Sequence, residues 1–180
     1  MKLLLHTCCA PCVIYPLEKL KQEGFSVRGY FYNPNIHPLS EYNNRLKAAT
    51  DFGAKRDLEM VHAEYAPVEF FQAVNLKEDR PERCLICWKL RLKKTAEAAK
   101  EMGCEYFSTT LLVSPYQDQE ALKKIGCDMA ADSGVEFLYE DFRPGFRKAH
   151  EQAKAEGIYC QKYCGCTYSE LERCQKSEKH

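Results

Sequence analysis

Short apolar runs alternate with longer amphipathic stretches along most of the chain. Lys2–Thr7 is short, uninterrupted and apolar, which is typical of a strand buried in a parallel sheet. The stretch from Pro11 to about Glu23 begins at a proline and ends before Gly24, as helices often do. The same alternation continues to about Gly157. The pattern therefore predicts an α/β fold.

The remaining strands and helices are predicted by the same signals. Strands are expected over Ser26–Tyr32, Leu58–Ala63, Tyr106–Val113 and Val135–Tyr139. Helices are expected from about Ser40 to Phe52, over Pro67–Val74, from about Leu85 to Met102, over Gln119–Ala131 and over Phe146–Glu156. Alternation at this spacing predicts a parallel sheet with helices on both faces.

The connections between parallel strands predict where a ligand binds. Right-handed crossovers place the carboxyl ends of all the strands, and any ligand, along one edge of the sheet. His6–Cys9 follow the first predicted strand and Ser114–Asp118 follow the fourth. We therefore expect these two segments to meet at the binding edge.

Length and composition limit the class of protein. At 180 residues the chain is predicted to be a single domain over residues 1–180, with a cysteine-rich tail over residues 158–180. The apolar run at Met1–Leu5 is too short for a signal peptide, and no stretch approaches the roughly 18 apolar residues of a membrane helix. We expect a cytoplasmic protein with no membrane partner.

Eleven cysteines are too many for an ordinary cytoplasmic domain unless several have a function. Two clusters, Cys8-Cys9-Ala10-Pro11-Cys12 and Cys84-Leu85-Ile86-Cys87, each stand where a helix is predicted to begin. Neighbouring thiolates together with a distant CxxC can surround a metal or an iron–sulfur cluster. Because thiols stay reduced in the cytoplasm, metal or redox chemistry is favoured over a disulfide scaffold.

The spacing of the clusters leaves three kinds of site open. Cys9 and Cys12 have the spacing of a thiol–disulfide oxidoreductase at a helix N-terminus. A zinc site that serves a non-catalytic RNA-binding module is the second possibility. Cys8 and the second CxxC favour the third, an iron–sulfur cluster, because a dithiol exchange site needs no additional thiols. Cys164 and Cys166, separated by one glycine, are candidates for further metal or redox residues, as is Cys12.

The whole chain has no basic excess of the kind that indicates a nucleic-acid partner, since Lys+Arg and Asp+Glu both number 26. RNA is not excluded by this balance, because a local basic patch can suffice. Locally, seven basic and three acidic residues between Lys77 and Lys94 leave a net charge of +4. Such a run is most often a solvated helix face. The functional interpretation is a set of phosphate contacts to RNA, for which the candidates are Arg80, Arg83, Lys89 and Arg91.

With these residues in view, the chain resembles the QueH family of epoxyqueuosine reductases over nearly its whole length. The motifs are HTCCAPC at 6–12, YNPNIHP at 32–38 with Glu41 and Tyr42, RCLIC at 83–87 running on to Arg91, STTLLVSP at 108–115 and QKYCGC at 161–166. The resemblance implies a Rossmann-like fold of the HUP type, a 4Fe–4S cluster with an adjacent iron ion, and no cobalamin. It also implies a tRNA substrate, whose epoxyqueuosine at the anticodon wobble position is deoxygenated to queuosine in the last step of queuosine biosynthesis.

The resemblance and the residues together give a predicted site. We expect Cys8, Cys9, Cys84 and Cys87 to bind the metal cluster. The predicted catalytic residues are Cys8, Cys9, Tyr116 and Asp118, and both Asp118 and Asp141 are candidate carboxylate ligands of a second iron. No GxGxxG motif is present. We therefore expect an external low-potential electron donor, such as a ferredoxin or a flavodoxin.

Overall fold

The computed structural model describes residues 1–177, in which five β-strands and seven α-helices follow one another. The strands are β1 (Lys2–His6), β2 (Ser26–Phe31), β3 (Met60–His62), β4 (Tyr106–Thr109) and β5 (Glu136–Phe137). The helices are α1 (Ala10–Gln22), α2 (Leu39–Lys55), α3 (Pro67–Val74), α4 (Glu82–Glu101), α5 (Gln119–Ser133), α6 (Phe146–Ala155) and α7 (Thr167–Ser177). Thr110–Val113 and Arg143–Gly145 form short 3₁₀ segments.

The strands form one parallel sheet in the order β3-β2-β1-β4-β5. β1 is central, with Leu5 paired to Gly29 of β2 on one side and to Ser108 of β4 on the other. The chain runs outward from β1 to β3 and then crosses back to β4. The strand order therefore reverses between β1 and β4, and ligands of such sheets bind at the carboxyl ends of those two strands. The predicted parallel α/β class is confirmed.

Helices cover both faces of the sheet. Right-handed crossovers place α1 and α2 on one face and α4 and α5 on the other. Leu3, Leu4 and Leu5 are fully buried because β1 is covered from both sides, which explains its uninterrupted apolar run. α6 packs against α1, and α3 packs against α4. Among residues 1–177, no helix has both the length and the apolarity needed to cross a membrane.

β4 is shorter than the predicted strand Tyr106–Val113. The hydroxyl of Thr109 accepts a hydrogen bond from the backbone N–H of Leu111 at 3.1 Å, which turns the chain into the 3₁₀ segment. Leu111 and Val113 are buried in the core, so their apolarity resembled that of a strand. The turn brings Thr110 next to Cys8 at the end of β1.

The cysteine-rich tail contains a helix that was not predicted. The backbone N–H groups of Ser169 and Glu170 donate to the carbonyl of Cys166, so α7 begins directly after the second cysteine of the CxC. The available signal was composition, because Glu, Leu, Arg, Gln and Lys make up much of this stretch and are strong helix formers. Residues 178–180 of the predicted tail lie outside the described residues.

Candidate functional site

Three cysteine sulfurs meet where β1 ends and α1 begins. The Sγ atoms of Cys8, Cys9 and Cys12 lie within 4.8 Å of one another, and those of Cys8 and Cys9 are 3.7 Å apart. Cys9 is the N-cap residue of α1. The hydroxyl of Thr110, just after β4, accepts from the backbone N–H of Cys8 at 3.2 Å and donates to its Sγ at 3.4 Å. This thiol triad therefore occupies the crevice between β1 and β4.

The three thiols differ in acidity. Hydrogen bonds from the thiols of Cys12 and Cys9 hold the pKa of Cys8 well below its ordinary value, and the charge of Arg91 lowers it further. The pKa of Cys12 is raised because its proton is shared with Cys8, and burial raises the pKa of Cys9. Cys8 is therefore the most readily deprotonated of the three, and the thiolate is the form that binds metals.

A buried cation lies behind the triad. Arg91 of α4 is 1 % exposed and donates from Nη2 to Oδ1 of Asn33 at 2.7 Å and from Nε to Nε2 of His6 at 3.3 Å. Its Nη1 lies 3.9 Å from Sγ of Cys87. Burial and the charge of Arg91 lower the pKa of His6 to about 3, so this imidazole is neutral. Because these partners are all neutral groups or thiols, thiolate sulfur is the available counter-charge for the guanidinium.

Four further cysteines line a narrow cleft at the start of α4. Cys84 and Cys87 lie in α4, and Cys164 and Cys166 lie in the loop before α7. Burial raises the pKa of Cys87 to about 12 and also raises the pKa of Cys84. Cys164 is exposed as a residue, yet desolvation of its sulfur, with Cys166 and Cys8 nearby, raises the pKa of its thiol. Cys164 thus lies between this cleft and the triad.

The predicted ligand set is divided between these two places. Within residues 1–177, the triad is the one group of three or more metal-binding side chains whose ligand atoms all lie within 4.8 Å of one another. Cys8 and Cys9 belong to it and are joined by Cys12, whereas Cys84 and Cys87 face Cys164 and Cys166 instead. The binding of one cluster by Cys8, Cys9, Cys84 and Cys87 stays a prediction.

An arginine that the sequence reasoning missed holds the loop that carries Cys164. Arg45 of α2 is 1 % exposed, and its two Nη atoms each donate at 3.0 Å, one to the carbonyl of Cys164 and the other to that of Tyr163. Its Nε donates to Oε1 of Glu41 at 2.7 Å. The available signal was the i, i+4 spacing of opposite charges in a predicted helix. Gly165 follows with a φ of 144°, a conformation that favours glycine.

A cavity of about 310 Å³ opens beside the triad, with Cys8, Cys12 and Cys164 in its wall. Tyr116 lines the cavity and is 81 % exposed, with its ring 5.9 Å from that of Phe146. The cavity also has the polar side chains of Thr110, Ser114, Gln117, His150, Gln161 and Tyr163 in its wall. It therefore combines thiols, hydroxyls and an accessible aromatic ring.

Neither predicted carboxylate lines this cavity. Oδ1 of Asp118 accepts from the backbone N–H of Ala121 at 3.0 Å, so Asp118 is the N-cap of α5. Asp141 accepts from Arg143, and this ion pair holds the pKa of the carboxyl below its usual value. A catalytic or ligand role for Asp118 stays a prediction, and the cavity wall does not support it.

The four predicted RNA-binding residues have different environments. Lys89 is exposed on α4, and Arg80 lines the cavity. Arg83 is 3 % exposed and donates to Glu172 and to the carbonyl of Glu78. Arg91 is buried behind the triad. The burial of Arg83 and Arg91 does not favour contacts to phosphates, because their guanidinium groups are enclosed and already bound. The binding of RNA by these four residues stays a prediction.

The fold and the site define a class: Rossmann-like α/β proteins with a thiol centre at the point where the strand order reverses. The chain belongs to the epoxyqueuosine reductase QueH family, whose sequence pattern matches residues 3–172. An epoxyqueuosine reductase QueH from Dehalococcoides mccartyi is 40% identical over 173 residues, which cover 96% of this chain and 94% of the relative. A relative of the same name from Thermotoga maritima is 37% identical over 181 residues, covering 96% and 92%.

Two solved structures share the fold at low identity. The U34-tRNA thiolase NcsA from Methanococcus maripaludis, determined with its [4Fe-4S] cluster, superposes with a TM-score of 0.60 at 13% identity, covering 94% of this chain and 61% of that one. A predicted subunit of tRNA methyltransferase from Methanocaldococcus jannaschii superposes with a TM-score of 0.56 at 9% identity, covering 84% and 74%. These likenesses support the Rossmann-like assignment of the sheet.

Proposed function

We propose that this chain is an epoxyqueuosine reductase that acts on tRNA. The observation that carries the proposal is family membership over residues 3–172 combined with a thiol triad beside an open cavity. The reaction converts the epoxide of the modified nucleoside to an alkene. Two electrons and two protons are consumed, both C–O bonds of the epoxide break, and the oxygen leaves as water.

The donor set fits an iron–sulfur cluster. Thiolates are the usual ligands of such clusters, and Cys164 lines both the cavity beside the triad and the narrow cleft of Cys84, Cys87 and Cys166. Cys8, Cys9, Cys84 and Cys87 would hold the cluster, with Cys12, Cys164 and Cys166 as further candidates. Arg91 supports the fit because a cluster with thiolate ligands is anionic and this buried cation has no carboxylate partner among those described.

When bound, a 4Fe–4S cluster supplies electrons one at a time, and an adjacent iron ion would supply a Lewis acid for the epoxide oxygen. Both groups are part of the proposal, which requires no cobalamin. Cys12 and Cys164 border the cavity and are candidates to share such an iron. The candidate carboxylate Asp118 caps α5 instead, so sulfur ligands are favoured over that side chain.

The residues of the cavity position the substrate. Tyr116 presents an exposed ring on which an unstacked base can stack, while Phe146 supports that ring from the side. The hydroxyl of Tyr163 donates to the carbonyl of His37, which fixes this ring in the wall. Burial raises the pKa of Tyr163 to about 12, so the phenol stays protonated at neutral pH.

The substrate and the electron donor follow from the chemistry. The anticodon loop is single-stranded, which is the context in which a protein can take in one RNA base. After β1, the chain has the cysteine motif at the place where a dinucleotide-binding sheet has a glycine-rich loop. We therefore assign the electrons to an external low-potential donor, such as a ferredoxin or a flavodoxin.

The direct test uses protein purified without oxygen. Iron and acid-labile sulfide are assayed, and the protein is incubated with epoxyqueuosine-containing tRNA and a low-potential reductant before the tRNA is digested and analysed for queuosine. Brown protein that forms queuosine supports the proposal. Colourless zinc protein without activity would indicate an RNA-binding module. Metal-free protein with one reactive dithiol would indicate a thiol–disulfide oxidoreductase.

A further inference from the structure

A broad groove with basic walls adjoins the cavity beside the triad. The basic groove, of about 590 Å³, runs between the start of α4 and α7, and its basic residues are Arg80, Lys162, Arg173 and Lys176. None of these except Arg80 was singled out by the local charge of the sequence. Because the formal net charge of the whole chain is +0, four cations around one groove are a local concentration of charge.

The carboxylate in the groove wall is already occupied by arginines. Oε2 of Glu172 lies 3.1 Å from Nε of Arg80, and Oε1 lies 2.6 Å from Nη2 of Arg83. The carboxylate of Glu172 thus forms ion pairs with two guanidinium groups. Lys162, Arg173 and Lys176 are exposed residues that line the same groove.

The two sides of the groove are held together by buried and ion-pair contacts between α7 and the start of α4. The ion pairs of Glu172 tie α7 to the start of α4, and the guanidinium of Arg83 lies 5.2 Å from the ring centre of Tyr168. Arg83 itself is 3 % exposed, so this junction is buried. Arg173 and Lys176 therefore project from a helix whose position is set before any ligand arrives.

The groove continues into the cavity of the triad. Arg80, Lys162, Tyr163 and Cys164 line both, and Cys8 and Cys12 lie in the wall beyond them. A chain molecule lying in the groove could therefore extend one of its side groups to the thiols. A base inside a duplex cannot reach an enclosed site, whereas a base of a single strand can.

We propose that the basic groove binds the phosphates of single-stranded RNA on either side of the nucleoside that enters the cavity. Lys162, Arg173 and Lys176 are the phosphate contacts, and Arg80 stands at the junction with the cavity. This inference rests on the proposed function for the identity of the entering nucleoside. It relocates the RNA contacts from the exposed face of α4 to the loop before α7 and to α7 itself.

The test is the salt dependence of RNA binding. A fluorescein-labelled anticodon stem-loop RNA is titrated by fluorescence polarisation at several salt concentrations against two triple variants. One is Lys162→Gln, Arg173→Gln and Lys176→Gln. The matched control is Lys55→Gln, Lys100→Gln and Lys124→Gln, which removes three exposed charges that do not line the groove.

Each phosphate contact contributes about 0.7–0.9 to the slope of log affinity against log salt. In the groove variant the magnitude of this slope should therefore be smaller by about 2–3 than in the unaltered protein. The variant should also bind the stem-loop at least about tenfold more weakly at low salt. The control should keep the slope of the unaltered protein. Circular dichroism and the iron and sulfide content establish that both variants fold and keep their metal.

Either of two results would overturn the inference. One is a groove variant with an unchanged salt slope, and the other is equal binding of a stem duplex that lacks the loop. The proposed function fails separately, when the unaltered protein forms no queuosine. If the unaltered protein binds the stem-loop through the groove residues but forms no queuosine, the result supports RNA binding in the groove and contradicts the proposed reaction.

Discussion

At the scale of single residues, a buried arginine supplies the positive charge beside the thiols. Arg91 is buried between Asn33, His6 and Cys87, and its charge lowers the pKa of the Cys8 thiol. The neutral His6 does not add a second charge. Arg91 is therefore a positioning residue whose charge favours the anionic forms of the sulfur ligands.

We expect Arg91→Met to make the metal-loaded protein harder to reduce, because a reduced cluster is more negative and loses its nearby cation. The potential should become more negative by roughly 60 mV or more, a tenfold change in a one-electron equilibrium. Redox titration followed by electron paramagnetic resonance measures it. The potential of Arg91→Lys should lie between those of the unaltered protein and Arg91→Met. Lys94→Met changes an exposed residue of the same helix and should leave the potential unchanged. An unaltered potential in Arg91→Met would contradict this role.

The cysteines themselves give a second prediction at this scale. Cys8→Ser, Cys84→Ser and Cys87→Ser should each bleach the protein and abolish epoxyqueuosine reduction, because serine is a poor ligand for cluster iron. Cys127→Ser is the control, since Cys127 is exposed on α5 and lines neither the triad cavity nor the narrow cleft. Iron and sulfide per chain are measured after anaerobic purification. Full iron content in Cys84→Ser or Cys87→Ser would remove that residue from the ligand set.

At the scale of elements, the site is assembled from the ends of secondary structures. β1 delivers Cys8 and Cys9, α1 begins with the next residues, and the 3₁₀ segment after β4 delivers Thr110. The loop before α7 closes the site from the side. That loop is held by Arg45 and requires a positive φ at Gly165.

Gly165→Ala should disturb this loop. A Cβ atom there would lie 3.0 Å from Nδ2 of Asn35 and 3.1 Å from Cγ1 of Ile36, at a φ that side chains rarely adopt. We expect a loss of about 3 kcal/mol in unfolding free energy together with a lower iron content. Gly157→Ala is the matched control, because its φ is +67° but nothing lies within 4 Å. It should cost about 1 kcal/mol and leave the iron unchanged. Urea unfolding and iron assays measure both, and equal effects would show that the loop has no special role.

At the scale of the whole molecule, the thiols lie at the edge of the sheet where dinucleotide-binding sheets of similar topology bind their nucleotides. The strand order reverses between β1 and β4, and the crevice there contains thiols. The groove and the cavity then share one wall, so a ligand that lies in the groove is next to the cavity that contains the sulfur atoms of Cys8 and Cys12.

We expect NADPH alone to support no turnover, whereas a low-potential one-electron donor does. The reason is that a cysteine motif follows β1 in place of a glycine-rich phosphate loop. Epoxyqueuosine-containing tRNA is incubated with each donor, and queuosine is measured after digestion. Reduced flavodoxin serves as the positive control. Queuosine formed with NADPH and no other donor would contradict this prediction, because it would require a nucleotide-binding site in the protein.

Much of the fold could be predicted because its signals are local. The leucine run of β1 is apolar throughout since both its faces are covered, and prolines and glycines mark the helix ends. The parallel sheet follows from the alternation of such elements. The 3₁₀ segment at Thr110–Val113 escaped prediction because a buried apolar run looks the same in either conformation.

The sequence by itself determined the parallel α/β architecture and the cysteine motifs at the ends of its elements. Only the tertiary structure decided that Cys12 joins Cys8 and Cys9, and that Arg83 and Arg91 are buried. It also decided that Lys162, Arg173 and Lys176 border one groove. The physical reason is that periodicity reports which face of an element is apolar. Whether a charged side chain meets solvent, a carboxylate or a thiol depends on elements distant in the chain that pack against it.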